Sequence, residues 1–189
     1  AVEKIQQLAE LPLHWHFIGP LQSNKTRLVA EHFDWVHTVE RLKIAERLSA
    51  QRPAHLAPLQ VCIQVNVSGE ASKSGCEFAD VPALARSIQQ LPGLQLRGLM
   101  CIPEPTDDSE QLRGQFAALR RCLEQLNASG LQLDTLSMGM SADLELAIAE
   151  VQDKVGVEVN WRPYQLNPDY PPEGVDHKKA LAEKLGVTL

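Results

Sequence analysis

The chain lacks the features that mark several large classes of protein. There is no basic excess. With 18 Lys+Arg against 24 Asp+Glu, the formal charge of −6 leaves nucleic acid or an anionic membrane little to bind. No apolar run approaches the ~20 residues of a membrane helix. The first residues (AVEKIQQLAEL) are helical in pattern, with no signal peptide ahead of the first strand, so the expectation is a cytoplasmic protein. Its four cysteines (Cys62, Cys76, Cys101 and Cys122) form no CxxC pair and match no zinc spacing. Cys62 and Cys101 fall in apolar strand runs and Cys122 at a helical core position, as buried thiols of a reducing compartment do. Neither a GxGxxG turn nor a GxxxxGK[ST] loop occurs, which removes support for the usual nucleotide-binding sheets. No Ser-His-Asp or Cys-His arrangement stands out and no carboxylates are paired, so no catalytic residue is assigned.

What is present is a rhythm. Strand-plus-loop runs at Leu13–Gly19, 34–39, Leu59–Ser68, Leu94–Pro103 and Leu133–Ser141 alternate with helical patterns. Leu42, Ala45 and Leu48 share one helix face; so do Leu84, Ile88 and Leu91, and then Leu112, Phe116, Leu119, Leu123 and Leu126. Asp107, Asp108 and Ser109 suit the start of the last of these helices and Gly130 its end. A short helix is expected over Ala142–Glu150. Five βα units predict a parallel sheet, either open and doubly wound or part of a (β/α)8 barrel. Both architectures put chemistry at the carboxyl ends of the strands. That rim would hold Gly19–Asn24, Asn66–Lys73, Met100–Glu104 and Ser137–Asp143.

Three rim segments carry candidate chemistry. In LSMGMSAD, Gly139 permits a tight turn and Ser137 and Ser141 offer hydroxyls. Free amides at the first turn of the following helix would attract an anion such as phosphate; an ordinary Ser cap with Asp143 in the first turn is the plainer reading. In HFIGPLQSNK, His14 and His16 alternate on one face against Trp15 and Phe17 on the other. His16 could meet a ligand. An HxH pair can also bind metal, but no third ligand lies nearby, so no metal is assigned. The loop NVSGEASKSG presents Lys73 between two serines, most simply as a solvated lysine.

In this order and spacing, HFIGPLQSNK, HTVERL, VNVSGEASKSG, GLMCIPEP and LSMGMSADLELAI resemble the pyridoxal phosphate homeostasis family, the YggS/PROSC group related to the N-terminal barrel of alanine racemase. The resemblance covers about 1–150. It implies a TIM-type barrel, present here as about strands 3–7 of 8, that binds pyridoxal 5′-phosphate (PLP) with no established turnover. It implies cofactor contacts from Ser137, Met138, Gly139 and Ser141 near the phosphate, with Met100 and His16 among the pocket walls. The family's AVSKTKP strand, whose first lysine forms the Schiff base, does not occur in this sequence. The same is true of the FGENY segment and of the G-S-T-x-V-R-I-G-T continuation. Cofactor binding is therefore expected to be weak or lost, with Lys25 or Lys73 as adventitious partners at most. An alanine-racemase-like enzyme would need a catalytic tyrosine, and Tyr164 and Tyr170 both lie beyond residue 150.

Residues 151–189 change character. WRPYQLNPDYPPEG carries four of the chain's twelve prolines. A strand is expected over Val155–Trp161 and a helix over Asp176–Leu185. This stretch resembles the DsbA-like, thioredoxin-fold proteins of the FrnE or 2-hydroxychromene-2-carboxylate isomerase type, without their redox pair, so no thiol exchange is assigned. The expectation is a chimera of two incomplete domains, 1–150 and 151–189, joined near Glu150–Val151. Its exposed sheet edges would favour self-association, and a chain without function is the alternative reading.

Overall fold

The computed structural model describes residues 2–69, 74–140 and 143–155. Within them α1 (Val2–Gln7) precedes β1 (His16–Phe17), α2 (Thr26–His32), β2 (Trp35–Val39), α3 (Leu42–Gln51) and β3 (Leu59–Gln64). Next come α4 (Val81–Gln89), β4 (Leu94–Met100), α5 (Ser109–Ala128), β5 (Thr135–Ser137) and α6 (Leu144–Val155). The strands form one sheet, ordered β1-β2-β3-β4-β5 and parallel at every pairing. Each crossover is a helix. Among the described residues no helix is long and apolar enough to cross a membrane.

The apolar periodicity decides which face of the sheet the helices cover. Ile44, Ala45 and Leu48 of α3, Val81, Leu84, Ala85 and Ile88 of α4, and Phe116 and Leu119 of α5 join Val36, Leu59, Val61, Ile63 and Leu99 in one cluster. Pro82 is tolerated in the first turn of α4, where its missing N–H has no intrahelical partner. Asp108 caps α5, accepting from the amides of Glu110 and Gln111 at 3.0 Å each. Gly130 follows the helix at φ +104°, a conformation glycine adopts without penalty.

The strands are shorter than the apolar runs that announced them, because each run continues into rim loop. β1 is the extreme case, with two paired residues of the seven expected. Side chains add to its backbone bonds: the Asp34 carboxylate accepts from the Trp15 amide at 2.7 Å, and the Thr38 hydroxyl donates to the Gly19 carbonyl at 2.8 Å. Between β4 and β5 the backbones are so close that a Cβ on Gly98 would overlap the Thr135 carbonyl oxygen.

The boundary expected at Glu150–Val151 falls inside α6, which continues through it to Val155. Arg120 of α5 holds Glu150 at 3.1 Å and also bonds Glu124. Val155 ends that helix rather than opening a strand. The expected strand beyond it, the expected helix and the thioredoxin-like reading of the tail lie outside the described residues.

Candidate functional site

The strand carbonyl ends form a rim, and the ladder extends past the regular strands there. Val65 donates to the Met100 carbonyl at 2.8 Å and Cys101 to that of Ser137 at 3.0 Å. Gln64, Met100 and Ser137 are register partners across β3, β4 and β5, so one row of side chains runs along the mouth. Met100 is buried at 2 % exposure, outside the apolar cluster under the helices.

One hydrogen bond reveals the shape of the sheet. His37 of β2 and Ser137 of β5 are three strands apart, a separation of roughly 14 Å in a flat sheet. Yet His37 Nδ1 lies 2.7 Å from Ser137 Oγ. The sheet is therefore curled into a half-barrel, and these side chains meet across its concave face. On the other side His37 Nε2 lies 2.9 Å from His16 Nδ1, giving a connected line His16–His37–Ser137.

His16 is not at the rim. It pairs in register with Trp35 at the start of β2 and stacks on that indole, with ring centroids 5.2 Å apart. Arg97 lies over the same indole at 5.1 Å. Its guanidinium also donates to Asp134 Oδ1 at 2.9 Å and Gln60 Oε1 at 2.8 Å. These residues close the amino-terminal end of the concave face, below the His37–Ser137 level. Phe17, on the opposite side of β1, packs edge-on against Phe33 under the helices.

Electrostatics at the line favour neutral imidazoles. Burial, with neighbouring His16 adding to it, pushes the His37 imidazole down to about 4. His16, exposed on the edge strand, is lowered as well by the partial desolvation of its ring, against an opposing pull from Asp34. Burial drives the thiols of Cys62, Cys76 and Cys101 up to about 12, which leaves them protonated and unreactive at neutral pH. Among the described residues no group of three or more His, Cys, Asp or Glu side chains could hold a metal ion.

The remaining expected contacts divide. Met138 is half-buried against the apolar core rather than facing the mouth. Gly139 turns the chain at φ +88°, and a Cβ there would meet that of Ala147 at 2.9 Å. The helix expected from Ala142 begins at Leu144; Asp143, 9 % exposed just ahead of it, accepts from the Met140 amide, which is thereby not available to an anion. Ser141 and Lys73 lie outside the described residues. Lys25 stands on the helix side of the sheet, over a cavity lined by Phe17, Leu21, Leu28 and Phe33. His37 is the residue that sequence reasoning missed. The period-two alternation Trp35-x-His37 puts it on the Trp35 face, but only the curl brings it to Ser137.

The described architecture has close counterparts. The model for the N-terminal domain of alanine racemase matches residues 2–157. A pyridoxal phosphate homeostasis protein of Pseudomonas aeruginosa is 66% identical over 150 residues, 79% of this chain and 64% of that protein. PipY of Synechococcus elongatus, solved with PLP bound, superposes with a TM-score of 0.71 at 37% identity, covering 80% of this chain and 71% of PipY. An alanine racemase of Clostridium difficile shares the fold alone, at 13% identity and a TM-score of 0.62, over 76% of this chain and 38% of the racemase. The chain thus spans 64% of the length of the homeostasis protein that it matches at 66% identity. The match over 2–157 also crosses the junction expected near residue 150. The curled parallel sheet, the helix on every crossover and these likenesses together show that the chain belongs to the alanine racemase N-terminal domain family, within its pyridoxal phosphate homeostasis group.

Proposed function

We propose that this chain binds PLP at the carboxyl mouth of the half-barrel and holds it without turning over a substrate. The observation that carries this reading is the Ser137 hydroxyl, presented at the end of β5 by His37 from across the sheet. PipY, a relative of the same architecture, has been solved with PLP bound, and the Pseudomonas relative is a PLP homeostasis protein, which supports the choice of ligand. PLP supplies an aldehyde that condenses with amines.

The residues fit the two ends of such a ligand. Ser137 donates a hydrogen bond to a phosphate oxygen, and the Gly139 turn lets the chain pass close beside it. Met100 gives the apolar ring a polarizable wall. His16, set lower, acts on the ligand through His37. Met138 supports the turn from the core side, and Ser141 follows it in sequence as a second hydroxyl for the phosphate. No catalytic residue is required for this role, and the described mouth holds the group by phosphate and ring contacts. The ligand is a small molecule, with neither nucleic acid nor membrane as partner.

Equilibrium dialysis against PLP tests this. The 189-residue chain is expected to bind saturably, to release the ligand on exhaustive dialysis, and to bind more weakly as Ser137→Ala. Absence of saturable binding, or an unchanged affinity in Ser137→Ala, would overturn it. Borohydride fixing the ligand to Lys25 or Lys73 would overturn the non-covalent part alone.

A further inference from the structure

The line His16–His37–Ser137 offers two consistent ways to place its protons. A neutral imidazole has one N–H and one lone pair, so the direction of one bond fixes the other. In the inward arrangement Ser137 donates to His37 Nδ1, and His37 Nε2–H donates to His16 Nδ1. In the outward arrangement His16 Nδ1–H donates to His37 Nε2, and His37 Nδ1–H donates to Ser137 Oγ. Only the outward arrangement leaves the Ser137 proton for a third partner. An anionic oxygen accepts and never donates, so it selects the outward arrangement.

We propose that His37, backed by His16, is a positioning residue for the Ser137 hydroxyl: an anionic oxygen bound at Ser137 sets both imidazoles into the Nδ1–H form and aligns three hydrogen bonds toward itself. This rests on the reading of Ser137 as a phosphate contact. The geometry carries it, since the donor–acceptor separations are 2.9 and 2.7 Å and the chain of bonds spans β1, β2 and β5. Aligned bonds polarise one another, so the hydroxyl that meets the anion is a stronger donor than an isolated serine. No net proton transfer accompanies the switch. The stack of His16 on Trp35 fixes the plane of its ring and so the direction of its Nδ1.

The test uses nitrogen-15 spectra of the intact chain near neutral pH, alone and saturated with PLP or with inorganic phosphate. The imidazole nitrogens report the tautomer directly, whatever the affinity. With either ligand, both His16 and His37 are expected as Nδ1–H. Affinities for PLP complete it: Ser137→Ala and His37→Phe each lose about 10-fold, equivalent to about 1.4 kcal/mol. The double variant loses no more than either single one, since His37 acts only through the Ser137 hydroxyl. His37→Asn, whose amide N–H can replace Nδ1–H, stays within about 2-fold of the parent. Should His37 stay in the Nε2–H form with ligand bound, or His37→Phe bind as the parent does while Ser137→Ala is weakened, the positioning role is wrong and the PLP site stands. Should Ser137→Ala itself bind unchanged, the site and the relay fall together.

Discussion

His37 shows most clearly what burial does to a single residue here. At 7 % exposure it sits between His16 and Ser137, and its imidazole is pushed down to about 4 from an ordinary 6.5. The sign of its effect on stability follows. Between these values the unfolded chain binds a proton that the folded chain refuses, so stability rises with pH across the window. The contribution is complete above about pH 6.5 and lost as pH falls to about 4, by on the order of 2–3 kcal/mol. His16, lowered for the same reason, acts in the same direction. Urea midpoints measured across that range are expected to fall with acid in the parent and to flatten in His37→Asn. A parent with no slope there would contradict the placement of His37 in the fold. Little of this could be read in advance. HTVERL identified a strand end and carried the family resemblance, but nothing local in it marks the histidine as buried against a serine 100 residues away.

Glycine separates the demands of strands and helices at the scale of elements. Gly98 lies where β4 meets β5, with no room for any side chain, since its Cβ would overlap the Thr135 carbonyl. Gly114 lies inside α5 with nothing within 4 Å of the place a methyl group would occupy, so it weakens the helix and serves no packing need. Gly114→Ala is expected to stabilise the protein by roughly 0.5–1 kcal/mol. Gly98→Ala is expected to cost more than about 3 kcal/mol, because backbone must move. Thermal or urea unfolding of the two variants checks both, and equal effects would contradict the close approach of β4 and β5. Helices were the more legible elements. The apolar spacing, the Asp107–Ser109 start signal and Gly130 mark the face and both ends of α5, because those signals are local, and the structure selects Asp108 as the cap. Strand length is less legible, since apolar runs do not reveal where pairing stops and rim loop begins.

For the whole molecule, regular alternation predicted a parallel sheet with helix crossovers but left open whether it was flat or curled. Curl arises from strand twist accumulated across several pairings, and no single segment encodes it. The family resemblance supplied the barrel, and the His37–Ser137 contact is its direct expression in this chain. Among the described residues, the expected rim segments follow the carboxyl ends of β1, β3, β4 and β5. The contents of the rim were sorted only by the fold: Met100 and Ser137 at the mouth, His16 beneath, Met138 into the core. Away from the mouth, a cavity of about 380 Å³ lies between α4 and α5, with Arg86 and Arg121 among its otherwise largely apolar lining. Its arginines would attract phosphate by charge alone, whereas the mouth offers directed hydrogen bonds in a concave site.

A crystal structure of this chain soaked with PLP distinguishes the two directly. The expected result is a phosphate oxygen within about 3 Å of Ser137 Oγ at the end of β5, with the His37 contact intact. A phosphate seated between Arg86 and Arg121, with the concave face empty of ligand, would contradict the account.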